Sequence, residues 1–331
     1  MAFAYYETGS FDPCYNLAFE EFLLKNKIDE DILMLWQNDN TIVVGVNQNT
    51  AEEINASFVN HHGINVVRRI TGGGAVYHDL GNLNYSFITD CKDMEKLSIA
   101  QFAQPVCVVL SAMGVHAELS GRNDLLVDGK KISGVAQKVY KGRVLHHGTL
   151  LFDSDSGVIA SALQVDMSKF RSKSSKSVRS RVGNIKDFLA EDMALDEFKT
   201  RFLDEFEKVG LRVAHVTEME RAQICELADT KYRSWDWTYG KNPPYNYHNR
   251  ARYCGGMLDV KLMVQENLIE NVCFSGDYMA IMESKALEAA LVGCRLERNS
   301  LFEVMGKFLT SAIFGDITVE EVIETMLPNG K

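Results

Sequence analysis

The chain has little that would assign it to the large, easily recognised functional classes. No apolar run approaches the roughly 18 residues that suggest a membrane-spanning helix, so no span is expected. The opening stretch MAFAYYETGSFDPCYN has no basic segment followed by an apolar one, so no signal peptide is expected. Positive charge is scarce: 35 Lys and Arg stand against 45 Asp and Glu, and the net charge of −10 argues against general binding to nucleic acid. The seven cysteines are an odd number without a C-x-x-C pair, which fits reduced thiols in the cytoplasm rather than a disulfide framework. No G-x-x-x-x-G-K-[ST] loop occurs, and the third glycine of a G-x-G-x-x-G fingerprint would fall on Tyr77. No internal repeat is visible. What remains is ordinary for a globular protein, with 46% apolar and 24% charged residues. A length of 331 residues suggests one large domain and one small one.

The pattern along the chain is of the α+β kind. Asp12-Pro13 reads as an N-cap and first helical residue, opening a helix through Lys25. DILMLW and TIVVGV, separated by QNDN, read as a hairpin. INVVRR and LNYSFI read as strands before and after a glycine-rich stretch, and residues 95–113 have helical spacing. Asp128-Gly129 and Lys141-Gly142 mark tight turns between strands. Ser156 to about Leu227 reads as mainly helical. ARYCGGMLDVKLMV and LIENVCFSG read as paired strands, with helices after them. Pro243-Pro244 marks the best linker. The expected organisation is a mixed β-sheet domain over 1–240, a linker at 241–245 and a small α+β domain over 246–331.

Four stretches carry chemistry. The first, VVRRITGGGAVYHDLGN, places Gly72, Gly73 and Gly74 in a row after Arg68 and Arg69. Three glycines give up packing and cost backbone entropy, so something is expected to come close to that backbone. Successive open N–H groups form an anion-cradling nest. A strand alternates its faces, so only one of the two arginines faces a site; the plainer reading is a glycine bulge with surface arginines. In SGRNDLLVDGKKISGVAQK, Lys130 and Lys131 likewise point to opposite faces, and one of them is expected to be solvated. In HHGTLLF the His-His pair has no partner at metal-ligand spacing. The last stretch, DMSKFRSKSSKSVRSRVGNIKD, is basic and serine-rich within an acidic chain; it reads as a solvated loop or as a lid.

Taken in order, DPCYNLAFEE, RRITGGGAVYHDLGN, GRNDLLVDGKKISGVAQ, HHGTLLF and KSVRSRVGN resemble the lipoate–protein ligases, over nearly the whole first domain. The last eighty or so residues resemble, by position and length, the accessory domain of the long members. The resemblance implies the fold shared with biotin ligases and octanoyltransferases. It implies a cytoplasmic enzyme, expected as a monomer, that turns lipoate and MgATP into lipoyl-adenylate and pyrophosphate. The lipoyl group then passes to a lysine of a carrier domain, an E2 subunit of a dehydrogenase or the glycine-cleavage H protein. It implies that Lys131 is catalytic, between the acyl carbonyl and the phosphate. Arg69, Gly73, Gly74, Ala75, Val76, Tyr77, His78, Asn82, Asp124 and Lys131 would hold ATP or the adenylate, with Asp124 a candidate Mg²⁺ ligand. Leu17, Arg69, Gly73, Lys131, Gly134 and His147 would hold lipoate, and Lys176, Arg179 and Arg181 would belong to the lid. Everything needed to hold an adenylate is then expected in the first domain.

Three alternatives stand beside this reading, two of them enzymes of the same fold and the third of a different class. An octanoyltransferase would need a nucleophilic cysteine, and none lies between Cys107 and Cys225. A biotin ligase would carry a different adenylate loop. A non-catalytic lipoate-binding regulator would be expected to have lost site residues, and Arg69, Lys131 and the glycines are all present.

Overall fold

The computed structural model describes residues 3–91, 97–121, 123–163, 181–208, 210–240 and 245–327. The chain forms two compact units. One comprises Met1–Val43, Glu53–Val67 and Val76–Ser234; the other comprises Val44–Glu52, Arg68–Ala75 and Trp235–Lys331. The expected linker at 241–245 lies, but for Tyr245, outside the described residues, and the C-terminal segment of the second unit begins at Trp235. In space, two short segments of the N-terminal half belong with the C-terminal one.

The first unit is built on an eight-stranded mixed sheet ordered β11-β1-β2-β6-β10-β9-β8-β7. Its strands are β1 (Phe3–Glu7), β2 (Ile32–Trp36), β6 (Asn82–Asp90), β7 (Glu118–Ser120), β8 (Asp124–Val127), β9 (Lys130–Tyr140), β10 (Arg143–Leu151) and β11 (Leu211–Val213). The Asp-Gly and Lys-Gly turns form as expected: Asp128, Gly129, Lys141 and Gly142 all have positive φ, the pairing that suits the twist of a two-residue hairpin. One face buries Leu83, Tyr85, Phe87, Val135 and Leu150 against the helices Ile99–Ala112 and Leu195–Glu207, including Phe102, Phe198 and Phe202. The other face lies against α1 (Pro13–Asn26), whose N-cap Asp12 accepts from the N–H groups of Cys14 and Tyr15. Glu21 of α1 is buried and accepts from Lys25, Lys231 and the Tyr232 hydroxyl.

DILMLW and TIVVGV do not form a hairpin. β2 pairs with β1 and β6, whereas β3 (Thr41–Val44) lies in a separate sheet ordered β4-β3-β5, with β4 (Asn65–Arg68) and β5 (Val76–His78). Every residue of β2 and β3 is buried. Continuous apolar runs of this kind mark central strands with a neighbour on each side, and the polar turn between them only reverses the chain. The described residues between Ser156 and Leu227 hold four helical elements and one short strand, β11.

The second unit has its own core, formed by the sheet β12 (Tyr247–Tyr253), β13 (Gly256–Gln265) and β14 (Leu268–Gly276) packed on the helices after it. β12 was not expected; its alternation of half-buried and exposed residues is hidden by the polar letters of YNYHNR. Arg68 is fully buried here and donates to the carbonyls of Gly45, Val46, Gln48, Trp237 and Thr238 and to the Thr50 hydroxyl. Burial lowers its pKa to about 10. Neither arginine is on the surface, contrary to the plainer sequence reading: Arg69 is 6% exposed. Tight glycine turns leave inward carbonyls, and guanidinium groups satisfy them.

Candidate active site

The polar face of the large sheet is set by strand register. Asn84 pairs with Thr149 and Ser86 with His147, and His147 pairs with Ala136. These residues therefore share a face, opposite the apolar core. The buried Glu20 of α1 sits over it, one turn beyond Leu17, which is also buried. Trp36 Nε1 donates to Ser86 Oγ at 2.9 Å, and Ser86 Oγ donates to Glu20 Oε1 at 2.5 Å. His147 Nδ1 lies 2.9 and 3.1 Å from the two Glu20 oxygens, so a carboxylate there fixes the proton on Nδ1. The sequence reading missed Glu20. Its signal was the acid pair inside the apolar run NLAFEEFLL, both members of which are buried.

Beside this network, Asn82 Nδ2 donates to Asn84 Oδ1 at 3.0 Å. Asn82 Oδ1 and Asn84 Nδ2 are buried without a hydrogen-bond partner. Whichever way the amides are turned, one acceptor and one donor stay open. A buried polar atom left so costs about 1–3 kcal/mol and marks a place for a ligand or water. Asn84 was not among the expected residues. An open polar atom does not single out this face by itself, because His146 Nε2 on the core face is also unpartnered. The charged pair does single it out. Lys131 Nζ is 2.7 Å from Asp124 Oδ1, and both side chains are about a third exposed, at 33% and 36%. At 2.7 Å the Lys131 ammonium engages Asp124 Oδ1 as a charge-assisted contact. Gly134 adjoins Lys131. Lys130 points elsewhere, is exposed and lies over the Phe188 ring at 5.8 Å.

Val76, Tyr77 and His78 form β5. The Tyr77 hydroxyl donates to Asn40 at 3.0 Å, and burial, with Asp79, Asp155 and Asp39 nearby, raises its pKa to about 12. His78 is buried, with Nδ1 3.1 Å from Asn38 Nδ2 and its ring edge-on to Trp36. Both side chains serve the packing of the strand.

The other expected residues, Arg69, Gly73, Gly74 and Ala75, belong to the second unit. Arg69 folds onto its own loop, donating to Thr71 Oγ1 and to the carbonyls of Gly72 and Gly74 at 2.7–2.9 Å. The fold explains two of the three glycines, each differently. A Cβ on Gly72 would lie 2.6 Å from Ala280 N and 2.9 Å from Tyr278 O. Gly73 has φ +87° and donates to Tyr278 O at 3.1 Å. A Cβ on Gly74 would meet nothing within 4 Å. The close backbone that the triplet anticipated is, for Gly72, the protein's own. Lys176 and Arg179 lie outside the described residues; Arg181 is described and exposed. The next residues tie into the site strand, with Val182 bridging Lys131 and Gly183 N–H donating to the Lys131 carbonyl at 2.9 Å.

Among the described residues no group of three His, Cys, Asp or Glu could hold a metal ion, and no helix is long and apolar enough to cross a membrane. None of the seven cysteines is in a disulfide.

The sequence profile of the lipoyl protein ligase A/B catalytic domain matches residues 12–207, and that of the bacterial lipoate protein ligase C-terminus matches residues 242–326. The chain belongs to the lipoate–protein ligase family. It is 42% identical to lipoate-protein ligase LplJ of Bacillus subtilis (strain 168), over 95% of this chain and 96% of that one. It is 41% identical to lipoate–protein ligase 1 of Staphylococcus aureus, over 95% and 97%. Among solved structures, a lipoate-protein ligase A bound with ATP is 30% identical with a TM-score of 0.63, covering 72% of this chain and 99% of that one. The lipoate complex of Plasmodium falciparum LipL1 superposes at a TM-score of 0.80 over 92% and 94%; at 24% identity this speaks for the fold.

Proposed function

We propose that this ligase works in two half-reactions, with Lys131 serving both. In the first, the lipoate carboxylate attacks the α-phosphorus of ATP. A carboxylate–phosphorus bond forms, the bridge to the β-phosphate breaks and pyrophosphate leaves. Both reactants are anions, so a preorganised cation is needed to offset their repulsion. In the second, the ε-amine of a carrier lysine attacks the acyl carbonyl. AMP leaves, the amine loses a proton and an amide remains. Lys131 would then stabilise the negative charge growing on the carbonyl oxygen. The observation that carries this reading is the Lys131–Asp124 pair, 2.7 Å apart, on the sheet face with the open amide atoms of Asn82 and Asn84.

The remaining roles follow from chemistry. The Glu20–His147–Ser86 network and Leu17 would shape the lipoyl end, and Asn82 the phosphate end. Gly74, where a Cβ would meet nothing within 4 Å, would leave the backbone of the loop braced by Arg69 open to an anion. The Asp124 carboxylate is a hard oxygen donor of the kind Mg²⁺ takes; with phosphate oxygens as other ligands it would hold the ion, which would neutralise phosphate charge. The ATP-bound relative supports the nucleotide, and an archaeal relative solved as a bi-partite ligase and its E2 lipoyl domain, 32% identical, supports a carrier of the E2 class. We place the reaction in the cytoplasm, with the H protein as a second carrier and the enzyme as a monomer. Mixing the protein with lipoate and MgATP, without carrier, should release pyrophosphate and leave a tightly held acyl-adenylate. Lipoyl transfer should follow when apo-carrier is added. No pyrophosphate under these conditions would overturn the proposal.

A further inference from the structure

Lys131 and Gly134 are three residues apart on β9, so strict alternation would put them on opposite faces. They share one because the strand is irregular. Asp124 pairs with Gly134 and Leu125 with Ser133, but the next residue, Leu126, pairs with Lys131. Ile132 is therefore an extra residue, a bulge whose side chain is fully buried in the core. The bulge brings Lys131 round to the face of Asp124 and Gly134.

Gly134 is not a glycine for backbone reasons. Its φ is not among the positive ones, and its N–H donates to Thr149 Oγ1 at 3.0 Å, as any strand residue could. A Cβ built there would lie 3.0 Å from Lys131 Nζ and 3.2 Å from Lys131 Cε; the next nearest atom is Asp124 Oδ1 at 4.0 Å. Carbon atoms in contact sit at about 3.5–4.0 Å, so an added methyl would displace the lysine end and little else.

We propose that Gly134 is a positioning residue for Lys131. The missing side chain, the Ile132 bulge and the Asp124 carboxylate together form a seat that holds the ammonium where the acyl-phosphate reacts. Gly134 thus acts through the lysine instead of touching the lipoyl chain. Assigning it this role rests on the ligase reading above. A displacement of the order of 1 Å in a reacting group costs up to about 100-fold in rate.

A double-mutant cycle tests the seat: wild type, Gly134→Ala, Lys131→Ala and the double variant. Each is measured for pyrophosphate release from lipoate and MgATP, under single-turnover conditions where turnover is slow, and for the melting temperature of the ligand-free chain. Gly134→Ala should lower kcat about tenfold or more, with both KM values changed less than about threefold. In the Lys131→Ala background the same change should cost less than about twofold and leave the melting temperature unmoved. An equal loss in both backgrounds, or a loss carried by the lipoate KM, would overturn the seat and put Gly134 against the substrate. If wild type releases no pyrophosphate, the ligase reading fails by itself. The melting temperatures still decide the seat: it stands if Gly134→Ala shifts the midpoint only when Lys131 is present, and falls if the shifts are equal.

Discussion

On the core face of the large sheet, His146 stacks on Phe102 at 5.1 Å and its Nδ1 meets Gln137 at 3.1 Å; burial, with His147 adjacent, lowers its pKa to about 3. One residue on, His147 turns to the other face and meets the Glu20 carboxylate. Lys130 and Lys131 divide in the same way, one over a Phe188 ring and one against Asp124. Gly148 and Gly134 divide too: a Cβ at Gly148 would strike the Tyr85 ring and hydroxyl at 2.6–2.8 Å, whereas one at Gly134 would meet the lysine end. Identical residue types serve packing or solvent on one side and, in the proposed reaction, chemistry on the other. What separates them is strand parity, altered once by the Ile132 bulge.

That contrast can be attacked with single substitutions, beginning with the largest effect. Lys131→Ala should cost at least about 3 kcal/mol in the transition state for adenylate formation, seen as loss of pyrophosphate release with an unchanged far-ultraviolet spectrum. Gly148→Ala should overpack the core against Tyr85 and lower stability by about 1–3 kcal/mol in urea titration. If Gly148→Ala instead leaves stability intact and removes activity, the assignment of faces is wrong. His146 tests the core face through pH. Its folded pKa of about 3 lies below an unfolded value of about 6.5, so below pH 6.5 the unfolded chain takes up a proton that the folded chain refuses. Stability should therefore fall as pH drops from about 6.5 towards 3, and His146→Gln should flatten that part of the profile. Lys130→Ala should change stability and pyrophosphate release by no more than about 0.5 kcal/mol.

Much of this arrangement is legible in the letters because it is local. Asp12-Pro13 caps α1, and the Asp-Gly and Lys-Gly turns need positive φ, a property of single residues. Pairing partners are not local, and QNDN looks the same between hairpin strands as between strands of different sheets. The bulge at Ile132 is invisible, since KKIS gives no sign of where the ladder slips. Gly72 announces a close approach without naming Tyr278 and Ala280, more than two hundred residues away. Glu20 reads as a surface acid until His147 and Ser86 are placed against it.

The clasp around Gly72 has a consequence for synthesis. Val44–Glu52 and Arg68–Ala75 leave the ribosome early, but the backbone they pack with, Trp237, Thr238, Gly276 and Tyr278, comes near the end of the chain. At about 5–20 residues per second, roughly 200 intervening residues take about 10–40 s to make. Throughout that interval the cation of Arg68 and its carbonyl acceptors must wait in solvent, partly unmatched. The second unit thus cannot close as a nascent domain of its own sequence, and its assembly is a late, long-range step, slower in principle than the hairpins of β8, β9 and β10.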